Sequence, residues 1–229
     1  MKSIRTLALV TGLLALSGVS QAQFSSTWTA VSDYDFRGFS QSAKDPALQA
    51  SADYAFGDSG FAIGAWASNV DFDNDADIET DLYVNYTGKI NDTFAITAGG
   101  TYYTYPGSDD VLDYLEVYVG LNAGNFNFKQ WYADELYGSN FSGEYTEANY
   151  TQPLGDKMSL AFHVGYAWGD AWEDVETTDY AVQFNYTAGN FILFAKFTGT
   201  DQGVEYDTDA NNNEPRLLVG ASTTFPWAK

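Results

Sequence analysis

The 229-residue sequence contains one histidine and no cysteine, which narrows the chemistry open to it. A Ser-His-acid hydrolase would have to use His163 as its base, since that relay moves its proton through an imidazole. His163 lies between Phe162 and Val164 in an alternating apolar run, and no Gly-x-Ser-x-Gly elbow occurs. A histidine satisfied in an interior is therefore the preferred reading over a catalytic base. Asp71-x-Asp73-x-Asp75-x-Asp77 begins like a calcium loop. Ala76 stands where the turn glycine belongs, however, and Leu82 where a bidentate glutamate would close the site. What survives is weak, nonspecific cation binding. A single His without Cys excludes a tetrahedral zinc centre. No catalytic residue, metal site or cofactor is expected.

The elements that carry these residues follow from the chain's organisation. Met1-Lys2-Ser3-Ile4-Arg5, the apolar run Leu7 to Leu16 and the small residues of Ser20-Gln21-Ala22 read as a signal peptide over 1–22, cleaved before Gln23. Nothing later supplies about 20 consecutive apolar residues, so no transmembrane helix is expected in 23–229. Without cysteine, disulfides and lipid attachment through a cysteine are both absent. Aromatics make up 17% of the residues while mean hydropathy is only −0.26. Alternating lipid-facing and lumen-facing positions produce that combination.

Period-two alternation is explicit in several segments. Met158, Leu160, Phe162, Val164, Tyr166 and Trp168 share one face of 157–169, against Ser159, Ala161, His163, Gly165 and Ala167 on the other. Strands are predicted near 24–37, 47–56, 61–70, 78–88, 93–104, 111–122, 126–136, 141–152, 157–169, 176–187, 190–200 and 214–225. The segment 141–152 is the least regular, because Glu144 and Glu147 interrupt its apolar face. A soluble sandwich would also alternate, so the order of connections decides. Tight links such as Gly57-Asp58-Ser59-Gly60, Ala123-Gly124-Asn125 and Ala188-Gly189 take turns with longer, often acidic loops. Short turns at one end and long loops at the other define an all-β transmembrane antiparallel barrel of about twelve strands. Aromatics near strand ends read as two girdles: Tyr102, Tyr103, Trp131, Tyr132, Trp168 and Trp172 at the loop side, and Tyr54, Phe56, Tyr86, Phe94, Phe126, Phe225 and Trp227 at the turn side.

Counting outward from the apolar faces gives a lumen set. Asp33, Asp35 and Arg37 fall on one face of the first strand, Asp53 on the second, and Glu116, Lys129, His163, Lys196 and Arg216 on five later strands. Charge on the lipid face costs about 2–4 kcal/mol for Arg or Lys at the midplane, so inward placement is expected of any barrel. The result is a lumen of both signs, readable as a charge-lined pathway or as a salt-bridged filling. Formal net charge is −21, becoming −23 once Lys2 and Arg5 leave with the signal peptide, and the pI is near 4.1. A phosphate backbone would be repelled, which excludes nucleic acid. Divalent cations could bridge acidic loops to lipopolysaccharide, although solubility of exposed loops explains the same charge.

Ser32-Asp33-Tyr34-Asp35-Phe36-Arg37-Gly38-Phe39-Ser40-Gln41-Ser42 with Asp45-Pro46-Ala47-Leu48-Gln49, and the stretch Ser59-Gly60-Phe61-Ala62-Ile63-Gly64-Ala65-Trp66-Ala67-Ser68-Asn69-Val70-Asp71-Phe72, resemble the N-terminal signature of the TorF family of porins, a Gcw_chp-type group. The resemblance covers about a seventh of the chain. It implies a bacterial outer-membrane barrel of porin type, and brings no catalytic residue and no solute with it. The function expected is passive diffusion of ions or small hydrophilic solutes. A non-conducting structural or adhesion barrel displaying acidic loops stays open beside it, as does an outer-membrane hydrolase acting on lipid. Association of barrels into a homo-oligomer is also left open.

Overall fold

Strands that alternate in polarity make a sheet with one dry and one wet face, and closing the sheet on itself removes its unpaired edges. The computed structural model describes residues 23–72, 75–108, 112–202 and 213–227, so the expected signal peptide lies outside the described residues. Twelve long strands form the wall. They are β1 (Gln23–Val31), β4 (Ala47–Ala55), β5 (Phe61–Asn69), β6 (Ile78–Lys89), β7 (Phe94–Thr104), β8 (Tyr114–Ala123), β9 (Phe126–Ala133), β10 (Gly143–Pro153), β11 (Met158–Trp168), β12 (Thr177–Ala188), β13 (Phe191–Thr200) and β14 (Arg216–Phe225). Each pairs antiparallel with its neighbour in sequence, and β1 closes on β14 from Ser26↔Phe225 to Val31↔Gly220. Tight turns join β4–β5, β6–β7, β8–β9, β10–β11 and β12–β13. The start of β1 and the end of β14 lie at that same end, and the longer loops gather at the other.

The outer face is apolar. Phe24, Leu48, Ile63, Leu82, Val119, Phe128, Val164, Phe184 and Leu217 are among its exposed side chains. Glu144, at the loop end of β10, is the one charged residue at an outward strand position among the described residues. The surface is lipid-facing in character, and the interior carries the polar groups.

One predicted boundary is corrected. The first strand ends at Val31 rather than at 37, and Asp33, Asp35 and Arg37 leave the wall. Asp35–Phe36 (β2) and Phe39–Ser40 (β3) instead form a small hairpin with Asp35↔Ser40 and Phe36↔Phe39 paired. Its two-residue link, Arg37-Gly38, has φ of 52° and 85°. Positive φ at both positions is the geometry of a type I′ turn. Two girdle assignments also change, because Tyr103 and Trp131 sit at inward positions of β7 and β9, where Tyr103 bonds Glu116 and Trp131 bonds Glu147.

Val119 is 63% exposed at the middle of β8. Val119→Arg is expected to lower the unfolding free energy of the barrel in lipid vesicles by about 2–4 kcal/mol, whereas Val119→Leu leaves it unchanged. Urea unfolding of the refolded protein, followed by tryptophan fluorescence, measures the difference.

Candidate functional site: a charged hairpin across the lumen

The loop between β1 and β4 turns inward and crosses the lumen. Its two anchors lie on opposite walls: β8 and β14 are separated by six of the twelve positions around the barrel. On the β13–β14 side, Arg216 donates from Nε to Asp33 Oδ2 (2.6 Å), from Nη2 to Asp35 Oδ1 (2.5 Å) and from Nη1 to the Gly38 carbonyl (2.8 Å). Lys196 Nζ donates to Asp35 Oδ2 at 2.6 Å, and the Thr198 hydroxyl to the same oxygen at 3.2 Å. On the far side, Arg37 meets Glu116 of β8 in a bidentate pair, Nη1 to Oε1 at 2.9 Å and Nη2 to Oε2 at 2.7 Å. Its guanidinium lies 4.0 Å from the centroid of the Tyr145 ring and 4.7 Å from that of Phe36. Planar charge matched to planar carboxylate and packed on aromatic faces is the arrangement arginine serves best.

Local geometry explains why the segment folds inward. Gly38 packs so closely that a Cβ there would overlap Thr200 and Asp179 on the β12–β13 wall, so no larger residue fits the turn. The Ser40 hydroxyl donates to Asp33 Oδ1 at 2.5 Å, and the Ser42 hydroxyl accepts from the Tyr34 amide at 3.0 Å. Tyr34 packs at a tilt against Trp66 of β5 and donates its hydroxyl to Glu79 of β6 at 3.2 Å. The Asp71 amide donates to the Gln41 carbonyl, tying the hairpin to the following loop.

A second network lies on β9 to β12. Lys129 Nζ is 3.8 Å from Glu147 Oε1 and sits over the rings of Tyr118 and Trp131. Trp131 Nε1 and Asn149 Nδ2 both donate to Glu147, at 2.9 Å each. His163 faces Asp179 Oδ1 at 2.8 Å and the Tyr145 hydroxyl at 3.0 Å through Nε2, and Asn149 Oδ1 at 2.7 Å through Nδ1. Among the described residues its hydrogen-bond partners are thus a tyrosine, an asparagine and an aspartate. Asp53, on β4, accepts from the Ser51 hydroxyl at 2.7 Å and from Tyr83.

The structure thus brings Asp33, Asp35, Lys196 and Arg216 together, sets Arg37 on Glu116 opposite them, gathers Lys129 and His163 around Glu147, and leaves Asp53 apart. Sequence reasoning did not select Glu79, Asp81, Glu147 and Asp179. Parity could have found the first two: in Ile78-Glu79-Thr80-Asp81-Leu82-Tyr83-Val84 the carboxylates alternate with Ile78, Leu82 and Val84 of the outer face. Among the described residues no group of three or more His, Cys, Asp or Glu has the arrangement of a metal site.

An apolar exterior, a charged and hydrogen-bonded interior and an inward-folded loop define a twelve-stranded barrel of the porin fold. The KdgM porin superposes on it with a TM-score of 0.60 at 12% identity, covering 88% of this chain and 99% of the other. The NanC porin does so with a TM-score of 0.57 at 14% identity, again covering 88% and 99%. The KdgM porin in complex with disordered oligogalacturonate gives 0.59 at 12% identity over the same shares. No curated protein is similar in sequence. The chain belongs to a bacterial protein family of unknown function, Gcw_chp, which matches residues 15–225.

Glu116→Ala leaves the Arg37 guanidinium buried without its carboxylate. The expected cost is about 3–5 kcal/mol, concentrated in the hairpin because Glu116 bonds no other base. Trypsin should then cut after Arg37 in the folded barrel, where the parent protein resists. Peptide mass analysis of the cut sites reads the outcome.

Proposed function

We propose that this protein is an outer-membrane porin-like barrel of the TorF type, exported through a signal peptide at 1–22. It passes ions or small hydrophilic solutes by passive diffusion. The observation that carries this reading is the lumen itself. Below the hairpin, toward the turns, inward positions hold Thr29, Asn85, Asn122, Asn127, Asn149, Asn185 and Ser222, a polar lining of amides and hydroxyls. At the hairpin, charges of both signs face one another across the barrel. A solute crossing a pore needs polar groups that replace part of its hydration without holding it.

In this reading Asp33, Asp35, Arg37, Glu116, Lys129, His163, Lys196 and Arg216 set selectivity at the constriction, with Asp53 nearer the periplasmic mouth. The barrel sits in lipid and lipopolysaccharide, and divalent cations bridge its acidic loops to the latter. A second reading is supported by the hairpin's anchors on opposite walls: a closed structural barrel that displays acidic loops for adhesion.

Planar-bilayer recording of the refolded protein separates the two. Discrete conductance steps are expected, and replacing residues 35–40 with a short glycine link is expected to raise the unit conductance. A folded barrel that stays silent with and without the hairpin would move the function to its loops.

A further inference from the structure

The charges of the lumen are not evenly paired. Asp33 and Asp35 are held by Arg216 and Lys196, Glu116 by Arg37, Glu147 by Lys129, and Asp179 by His163. Every permanent cation of the lumen among the described residues, Arg37, Lys129, Lys196 and Arg216, is therefore engaged on the hairpin or on β8 to β14. The wall from β4 to β6 carries three inward carboxylates, Asp53, Glu79 and Asp81, and none of them forms an ion pair with a base among the described residues. Among the described residues Glu79 accepts only a tyrosine hydroxyl, and Asp53 only hydroxyls. Asp81, just 8% exposed, has one carboxylate oxygen, Oδ1, with no hydrogen-bond partner among the described residues.

Buried carboxylates left this way are costly in their charged form unless a proton or a positive charge from outside completes them. Their spacing forms a track. Glu79, Asp81 and Tyr83 are successive inward residues of β6, about 7 Å apart along the strand. Tyr83 donates to Asp53 at its own level, since Asp53 pairs with Gly64 and Gly64 with Tyr83. A Cβ on Gly64 would strike the Tyr83 ring, so that glycine is what lets the tyrosine lie across the wall to reach Asp53.

We propose that the β4–β6 wall is a cation track through the barrel, entered at Glu79, centred on Asp81 with its free Oδ1 and left at Asp53. The solutes it takes are small cations, inorganic or ammonium-bearing, and anions are disfavoured along it. The proposal rests on the pore reading of the lumen and names its substrate class.

The test is the reversal potential of the refolded full barrel in a planar bilayer under a potassium chloride gradient. The parent protein is expected to favour potassium over chloride. Asp81→Asn and Glu79→Gln are each expected to lower the permeability ratio about threefold, as a change of roughly one kT in local potential requires. Because Asp81→Asn removes an uncompensated charge, its thermal midpoint should rise or hold, which separates a loss of selectivity from a loss of fold. Anion preference in the parent, or an unchanged ratio in both variants while conductance persists, overturns the cation track and leaves the pore standing. A parent barrel that folds and never conducts overturns both.

Discussion

A barrel that turns its apolar residues toward lipid has no dry core at its centre, so whatever fills the interior must satisfy its own charges. In this protein that constraint is met by the bidentate pair of Arg37 with Glu116. Arg37 adopts a φ of 52°, a conformation that non-glycine residues take at some energetic cost. The conformation persists because the guanidinium is fixed at both ends: carboxylate in its plane, tyrosine ring on its face. Its opposite anchor is the Asp33 and Asp35 pair on Arg216. With both in place, the hairpin is a strut across the lumen, and the loop that follows is held to it through Asp71.

The strut also organises the packing above it. The buried apolar cluster of the molecule, including Val31, Tyr34, Val70, Tyr103, Tyr105, Tyr114, Leu136 and Leu218, lies at the loop-side mouth and not at mid-barrel. Tyr103 stacks on Tyr114 with centroids 4.5 Å apart, and Phe36 of the hairpin meets Tyr103 edge-on. Loop residues, hairpin and strand ends therefore share one small core at the mouth, where the chain leaves the regular sheet. Below it the lumen is lined by amides and hydroxyls. The barrel has two tiers, a packed and largely charge-paired upper one and a polar lower one in which Asp53 is the inward carboxylate.

The twelve strands were legible because a lipid-facing barrel writes its register into the sequence with period two, and because tight turns are written in Gly, Asn and Asp. The alternation of Leu115, Val117, Val119 and Leu121 with Tyr114, Glu116 and Tyr118 is the wall itself. The hairpin was not legible for the same reason. Asp33-Tyr34-Asp35-Phe36-Arg37 continues the alternation of the first strand, so periodicity extends the strand past Val31. Only the Arg-Gly pair at 37–38 marks a reversal, and a turn signal of two residues is weak beside nine of regular pattern. Tyr103 and Trp131 were misplaced because an aromatic near a strand end reads as an interfacial anchor, whereas here each donates a hydrogen bond to a lumen glutamate. Glu79 and Asp81 obey parity within the predicted strand 78–88, and the same count that gave the lumen set would have included them.

Any solute crossing this lumen must pass the hairpin, and the way it is fastened bears on where. Toward β13 and β14 it is held by three short charge-assisted contacts, and toward β8 by a bidentate pair between aromatic faces. Swinging it out would leave Arg37, Asp33, Asp35 and their partners as buried or half-buried charges without counterparts, a penalty of several kcal/mol for each pair broken. Toward β5 and β6 it is held without an ion pair among the described residues, by the Tyr34 hydroxyl on Glu79, the Tyr34–Trp66 ring contact and the Asp71 amide on the Gln41 carbonyl. A tyrosine rotamer is a far smaller movement than the release of the hairpin, and the side where that movement suffices is the side whose carboxylates lack bases. Position of least restraint and excess negative charge thus coincide on one wall. A fixed strut with one yielding edge can discriminate by charge without a moving gate.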